Sequence, residues 1–112
     1  MDFGLTDRQK KLLITILKKY IKTGTVIVFG SWAKGTNTER SDIDIALQNV
    51  SFFPGASFGG LIDEIAESDF PYLTDIVIYE DITNVDLKEH IDRVGRILME
   101  LPVTGIWFVR RV

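Results

Sequence analysis

The chain has 112 residues, 46% of them apolar and 26% charged, and its 13 basic and 16 acidic side chains leave a net charge of −3. That composition excludes a disordered chain, and the charge balance gives no general attraction to nucleic acid or to an acidic membrane. Cysteine is absent, which excludes disulfides and Cys-based metal sites and fits a reducing, cytoplasmic compartment.

Thr6, with Gln9 three positions later, forms a capping box, and Leu12, Leu13, Ile16, Leu17, Tyr20 and Ile21 then recur at helical spacing. A helix ending near Gly24 is expected. Thr25 to Phe29 is short, β-branched and flanked by glycines, the pattern of a buried strand. The polar residues 32–40 leave room for at most a turn or two of helix. From Asp42 the pattern alternates: Asp42, Asp44, Ala46 and Gln48 share one face, and Ile43, Ile45 and Leu47 share the other, which should face the core.

Pro54 and Gly55 mark a loop, and together with Gly59 and Gly60 they interrupt the longest uncharged stretch, so no membrane span is expected. Phe58, Leu61, Ile62 and Ile65 give a short helix, and Leu73 to Tyr79 a third strand. Thr83 with Asp86 reads as a second capping box, opening a helix whose stripe is Leu87, Ile91, Val94 and Leu98. Residues 30–41 are barely long enough for a parallel crossover, so the first two strands should be antiparallel or mixed. The expected fold is α+β (α/β), a small mixed sheet of about three to four strands with about four helices in the order α-β-α-β-α-β-α. One domain, 1–112, is expected, with a core over about 6–100 and an apolar tail or edge strand at 101–112; an exposed segment that docks a partner is the alternative for that tail.

Charge is divided along the chain. Residues 1–56 carry eight basic and five acidic side chains, and residues 57–112 carry five basic and eleven acidic. Helices with solvated faces of opposite sign explain this; a basic partner surface on the acidic half is the sharper alternative.

The chemistry concentrates at Gly30-Ser31 and Asp42-Ile43-Asp44. A glycine at a strand end permits close backbone approach, and Ser31 at the start of a short helix offers a hydroxyl and N–H groups to a phosphate. Asp42 and Asp44 project from the same strand face, where two carboxylates repel unless a cation lies between them. Paired carboxylates plus phosphate oxygens are the ligand set of Mg²⁺. Asp75 is a third acid, at a position of the third strand that otherwise reads as core. Three acids on neighbouring strands can hold two divalent ions for phosphoryl or nucleotidyl transfer. Structural readings compete: Ser31 as a helix cap, Asp42 as a turn cap, Asp75 as a solvent-facing strand start. Lys34 and Arg40 lie between the motif halves and either neutralise phosphate or face solvent. His90 reads as a boundary residue of its helix, and Trp32 as a packing anchor or a stacking platform for a base.

Phe29-Gly30-Ser31, ten intervening residues, then Asp42-Ile43-Asp44-Ile45 resembles the hydrophobic-Gly-Ser-x10-Asp-x-Asp signature of the DNA polymerase β-like nucleotidyltransferases. The short chain is similar to their minimal nucleotidyltransferase subgroup, whose members are usually encoded beside a HEPN-domain protein. The resemblance covers roughly residues 10–100. It implies that Gly30 and Ser31 hold the terminal phosphates of ATP. It further implies that Asp42 and Asp44 bridge the metals and that Asp75 ligates the catalytic ion and helps deprotonate the acceptor.

The implied reaction is Mg²⁺-dependent transfer of AMP to an acceptor hydroxyl, first of all on a partner HEPN toxin, with the chain acting as antitoxin. A non-catalytic antitoxin that neutralises the ribonuclease by binding, and transfer of AMP to a small molecule, are the alternatives. A chain this short lacks room for an acceptor-binding lobe, so a partner protein or a homo-oligomer is expected to supply one.

Overall fold

The computed structural model describes residues 4–38, 41–102 and 108–109. Helix α1 (Asp7–Tyr20) leads into strand β1 (Ile21–Phe29), the one-turn helix α2 (Ser31–Lys34) and strand β2 (Ile43–Phe52). Helix α3 (Phe58–Glu67), strand β3 (Thr74–Ile78), a 3₁₀ turn (Tyr79–Asp81), helix α4 (Val85–Val94), strand β4 (Arg96–Leu101) and strand β5 (Phe108–Val109) follow. The sheet order is β3-β2-β1-β4-β5. β1 is antiparallel to both β2 and β4, and β5 is antiparallel to β4. β2 and β3 are parallel, joined by the crossover through α3. The α+β fold and its mixed sheet agree with the sequence pattern, and the expected antiparallel turn between the first two strands is present.

Helices cover both faces. Leu13, Ile16 and Leu17 of α1 and Leu61 and Ile65 of α3 pack with Val26, Val28, Ile43, Ile45 and Leu47 in the larger core. Residues one step along the same strands point the other way, and Phe29 and Ala46 pack with Ile91 of α4, supported by Ile27, Val77 and Leu87. The face that carries the aspartates is therefore apolar along most of its length and acidic only at one end. Beneath the sheet, α1 and α3 are tied by Glu64, which accepts from Tyr20 Oη (2.7 Å) and from Lys19 Nζ.

Two boundaries differ from expectation. The first helix ends at Tyr20, and β1 starts at Ile21, four residues ahead of the expected strand. Ile21 and Thr23 pair with Phe52 and Ser51 across a strand that is irregular on both sides of Thr23. Gly24 absorbs the irregularity: its φ is +130°, and a Cβ there would lie 2.6 Å from the Cα of Val50. The glycine that reads as a helix stop is a bulge inside a strand.

The last helix ends at Val94, so Leu98 belongs to β4 and not to the helical stripe. The Gly95 N–H closes the helix on Ile91 O at 2.7 Å, and a Cβ at Gly95 would meet Ile27 Cγ2 at 2.7 Å. Ile97, Leu98 and Met99 then run on as a strand beside β1. This adds a strand, and the pairing of Phe108 and Val109 with Glu100 and Met99 adds another, as an edge strand in the C-terminal segment. The rest of that segment, 103–107 and 110–112, lies outside the described residues. The capping residue of α4 is Asn84, whose side chain accepts from Leu87 N at 3.1 Å, and not Thr83.

Gly24→Ala should destabilise the fold by about 1–3 kcal/mol, because the new methyl must displace Val50 and the positive φ must be held by an L-residue. Urea denaturation monitored by circular dichroism measures this, with the midpoint falling at an unchanged slope.

Candidate active site

The site lies where β1 ends and β2 and β3 begin. On one side of β2, Asp44 is the register partner of Phe29; on the other, it is the register partner of Asp75. The parallel pairing is anchored beside the acids by the Ile43 N–H, which donates to Leu73 O at 2.9 Å. Asp42 immediately precedes β2, and Asp44 lies two residues on, on the same side. Three acids are thus brought to one end of one sheet face.

Gly30 is shaped by this neighbourhood. Its φ is +73°, and a Cβ built on it would overlap the Oδ2 of Asp44. A side chain is excluded by the carboxylate itself. Ser31 opens α2, and the next residue, Trp32, is buried in the larger core. Its indole Nε1 donates to Ser41 O at 3.1 Å, and its ring lies edge-on to Tyr72 with centroids 4.8 Å apart. Trp32 is therefore the packing anchor and not a stacking platform. It fastens the residue after Ser31 to the residue before Asp42, so the two halves of the motif are held together across the intervening loop.

Asp44 is half-buried, while Asp42 and Asp75 are exposed. Burial, and then the nearby charges of Asp75 and Asp42, raise the Asp44 pKa above the ordinary aspartate value, and His90 opposes them. Like charges repel across the cluster, a repulsion that a bound cation would relieve. Asp75 departs from the sequence expectation in one respect: β3 is the edge of the sheet, so an acid there has no burial cost to recover. Its register with Asp44, rather than its burial, places it with the cluster.

His90 joins the site from α4. It is half-buried, its ring lies edge-on to Phe29 at 6.3 Å between centroids, and its charge favours the ionised form of Asp44. Its place one position before the buried Ile91 was the available signal. Only the packing of α4 over the acidic face turns that boundary position toward the carboxylates. Lys34 lines a hollow of about 410 Å³ together with Ala33, Arg93, Val94, Gly95 and Arg96. Arg40 lies outside the described residues. Among the described residues, no three acidic or histidine side chains enclose a single point closely enough to cage a metal ion. That is compatible with Mg²⁺, which is held by one or two carboxylates and completes its shell with water and substrate phosphates. No helix among the described residues is long and apolar enough to cross a membrane.

A mixed sheet with a Gly-Ser turn facing paired strand acids defines a nucleotidyltransferase fold, and the chain belongs to the polymerase beta nucleotidyltransferase family, which it matches over residues 11–102. Members of that family are typically metal dependent. Within it, the chain is 30% identical over 103 residues to MntA of Haemophilus influenzae, a probable protein adenylyltransferase, across 92% of this chain and 90% of that protein. It is also 32% identical over 78 residues to MJ1379 of Methanocaldococcus jannaschii, a candidate protein adenylyltransferase, across 69% of this chain and 78% of that one. The fold is shared with a toxin–antitoxin crystal structure containing AMP-PNP, at a TM-score of 0.62 and 22% identity over 79% of this chain and 70% of that chain. It is shared as well with the structure of a candidate minimal nucleotidyltransferase, at a TM-score of 0.56 and 21% identity over 86% of this chain and 95% of that chain.

Because the folded-state pKa of Asp44 lies above that of the unfolded chain, its stabilising contribution is complete below the ordinary aspartate range and is lost as pH rises through the raised value. Asp44→Asn should therefore raise the melting temperature of the metal-free protein at pH 7 by roughly a few degrees. The gain should shrink as pH falls below the aspartate range. Thermal melts of both proteins across pH 3–8 check it.

Proposed function

We propose that the chain is a Mg²⁺-dependent protein adenylyltransferase that moves AMP from ATP to a hydroxyl on a partner HEPN toxin and acts as its antitoxin. The convergence of Asp42, Asp44 and Asp75 at the Gly30-Ser31 turn carries this reading. Its partner class is supported by the likeness to MntA and to a toxin–antitoxin structure with a bound ATP analogue.

The roles follow from position. Gly30 lets the backbone approach the nucleotide without a side chain between it and Asp44, and the Ser31 hydroxyl donates to a terminal phosphate. Asp42 and Asp44 would hold Mg²⁺, two ions once Asp75 contributes. Bound there, such ions would supply charge neutralisation at the α-phosphate and the leaving oxygen. Both acids act ionised; the raised pKa of Asp44 describes the protein before a cation relieves the repulsion. The acceptor oxygen bonds to the α-phosphorus in line, the bond to the β-phosphate bridging oxygen breaks, and pyrophosphate leaves with that electron pair. Asp75, exposed at the sheet edge, would take the acceptor proton. That edge is also where a protein acceptor can approach.

Incubation with α-labelled ATP, Mg²⁺ and a HEPN toxin that forms a complex with the chain should label the HEPN protein. The Asp42→Ala/Asp44→Ala variant should reduce labelling to background. Unlabelled toxin, or equal labelling by the variant, would refute catalysis. Neutralisation of the toxin by the same variant would show that binding alone suffices. Gly30→Ala should fold and yet lose on the order of 10²-fold in transfer rate, because its methyl group displaces the Asp44 carboxylate.

A further inference from the structure

We propose that Lys34, Arg93 and Arg96 form the seat for the terminal phosphates of the nucleotide, on the opposite side of Gly30-Ser31 from the acids. The inference rests on the nucleotidyltransferase reading and adds Arg93 and Arg96 to it. All three cations line one open hollow of about 410 Å³. They come from three elements, the end of α2, the last turn of α4 and the first residue of β4.

Topology puts the hollow beside the site. β1 is flanked by β2 and β4, both antiparallel to it, so the end of β1 that meets the start of β2 also meets the start of β4. Near that end, Asp44 is opposite Phe29 in one ladder, and Arg96 is opposite Val28 in the other. Between them, Ser31 and Lys34 are the first and last residues of α2, a helix only about 6 Å long. Two phosphate groups in a row span such a distance. An α-phosphate at the acids and a polyphosphate tail running along α2 would bring the tail into the hollow.

The charges there are otherwise unspent. Three cations, Lys34, Arg93 and Arg96, line the one hollow, and among the described residues none of them is in an ion pair. Arg96 is held in place, since its Nε donates to Ala33 O at 3.0 Å. That bond fixes the plane of the guanidinium and leaves its terminal nitrogens for an anion, the fork geometry suited to phosphate. The same bond seats α2 on the sheet. Arg93 in the last turn of α4 also gains from the helix dipole, but that gain of about 0.3–1 kcal/mol asks for no neighbouring cations.

Calorimetric titration of the full chain with MgATP, tripolyphosphate and AMP separates the possibilities. Lys34→Ala/Arg93→Ala removes two exposed cations and spares the Arg96–Ala33 contact, so the variant should fold as the wild type does. It should bind MgATP and tripolyphosphate about tenfold or more weakly and AMP unchanged. Lys11→Ala/Lys22→Ala, which removes the same charge from exposed positions elsewhere, should leave all three affinities within about twofold.

Unchanged tripolyphosphate binding in the first variant, equal weakening in the second, or a wild type that binds no tripolyphosphate would overturn the assignment. Transfer to an acceptor is not part of this readout. A chain that passes this test but labels no partner would refute the proposed activity and leave the phosphate seat standing.

Discussion

The register of β2 against its two neighbours is the constraint on which the rest depends. Asp44 faces Phe29 across the antiparallel ladder and Asp75 across the parallel one. A slip of one residue in either ladder would turn Asp44 into the larger core and an isoleucine out to the site. The register is enforced by Ile43, Ile45 and Leu47, each at most 1% exposed, so the apolar face of the strand positions the acidic one. The placement of Asp44 beside Asp75 on one face is thus a by-product of core packing.

Around that register the chain divides its charges. Repelling acids gather at the start of β2 and β3, and cations gather around α2 and the start of β4, with the Gly30-Ser31 turn between them. Neither cluster neutralises the other. Asp44 is less comfortable folded than unfolded, a local cost of the kind that functional sites retain at the expense of stability. The turn that separates the clusters is held from below by Trp32, whose indole reaches Ser41, and from the side by Arg96, whose guanidinium reaches Ala33. A nucleotide with its metal would match both clusters at once, presenting cation to the acids and phosphate to the bases.

Most of the site was legible in the sequence because its parts are local. Gly30, Ser31, Asp42 and Asp44 occupy one strand-turn-strand unit, and strand alternation alone puts the two aspartates on one side. The capping box at Thr6 and Gln9 was legible for the same reason. Elements fixed by long-range pairing were not. Ile21 and Thr23 continue a helical stripe as well as they begin a strand, and only Phe52 and Ser51 decide the matter. Leu98 falls at helical spacing after Val94, yet it lies beyond Gly95 in a strand defined by its ladder with β1. Asp75 reads as a core position in the sequence, yet its strand is an edge and the residue is exposed. The positions of His90, Arg93 and Arg96 near the end of β1 could not be read from the sequence, because nothing local relates α4 to that end.

The central claim is that one end of one sheet face takes a metal-bound nucleotide, and paramagnetic broadening tests it most directly. Mn²⁺ would be titrated into ¹⁵N-labelled protein in the presence of a non-hydrolysable ATP analogue. Amide signals should broaden first at Phe29, Gly30, Ser31, Asp42, Ile43, Asp44 and Asp75, with the far end of β2 near Phe52 unaffected. Broadening centred instead on the acidic face of α3, at Asp63, Glu64 and Glu67, would contradict it.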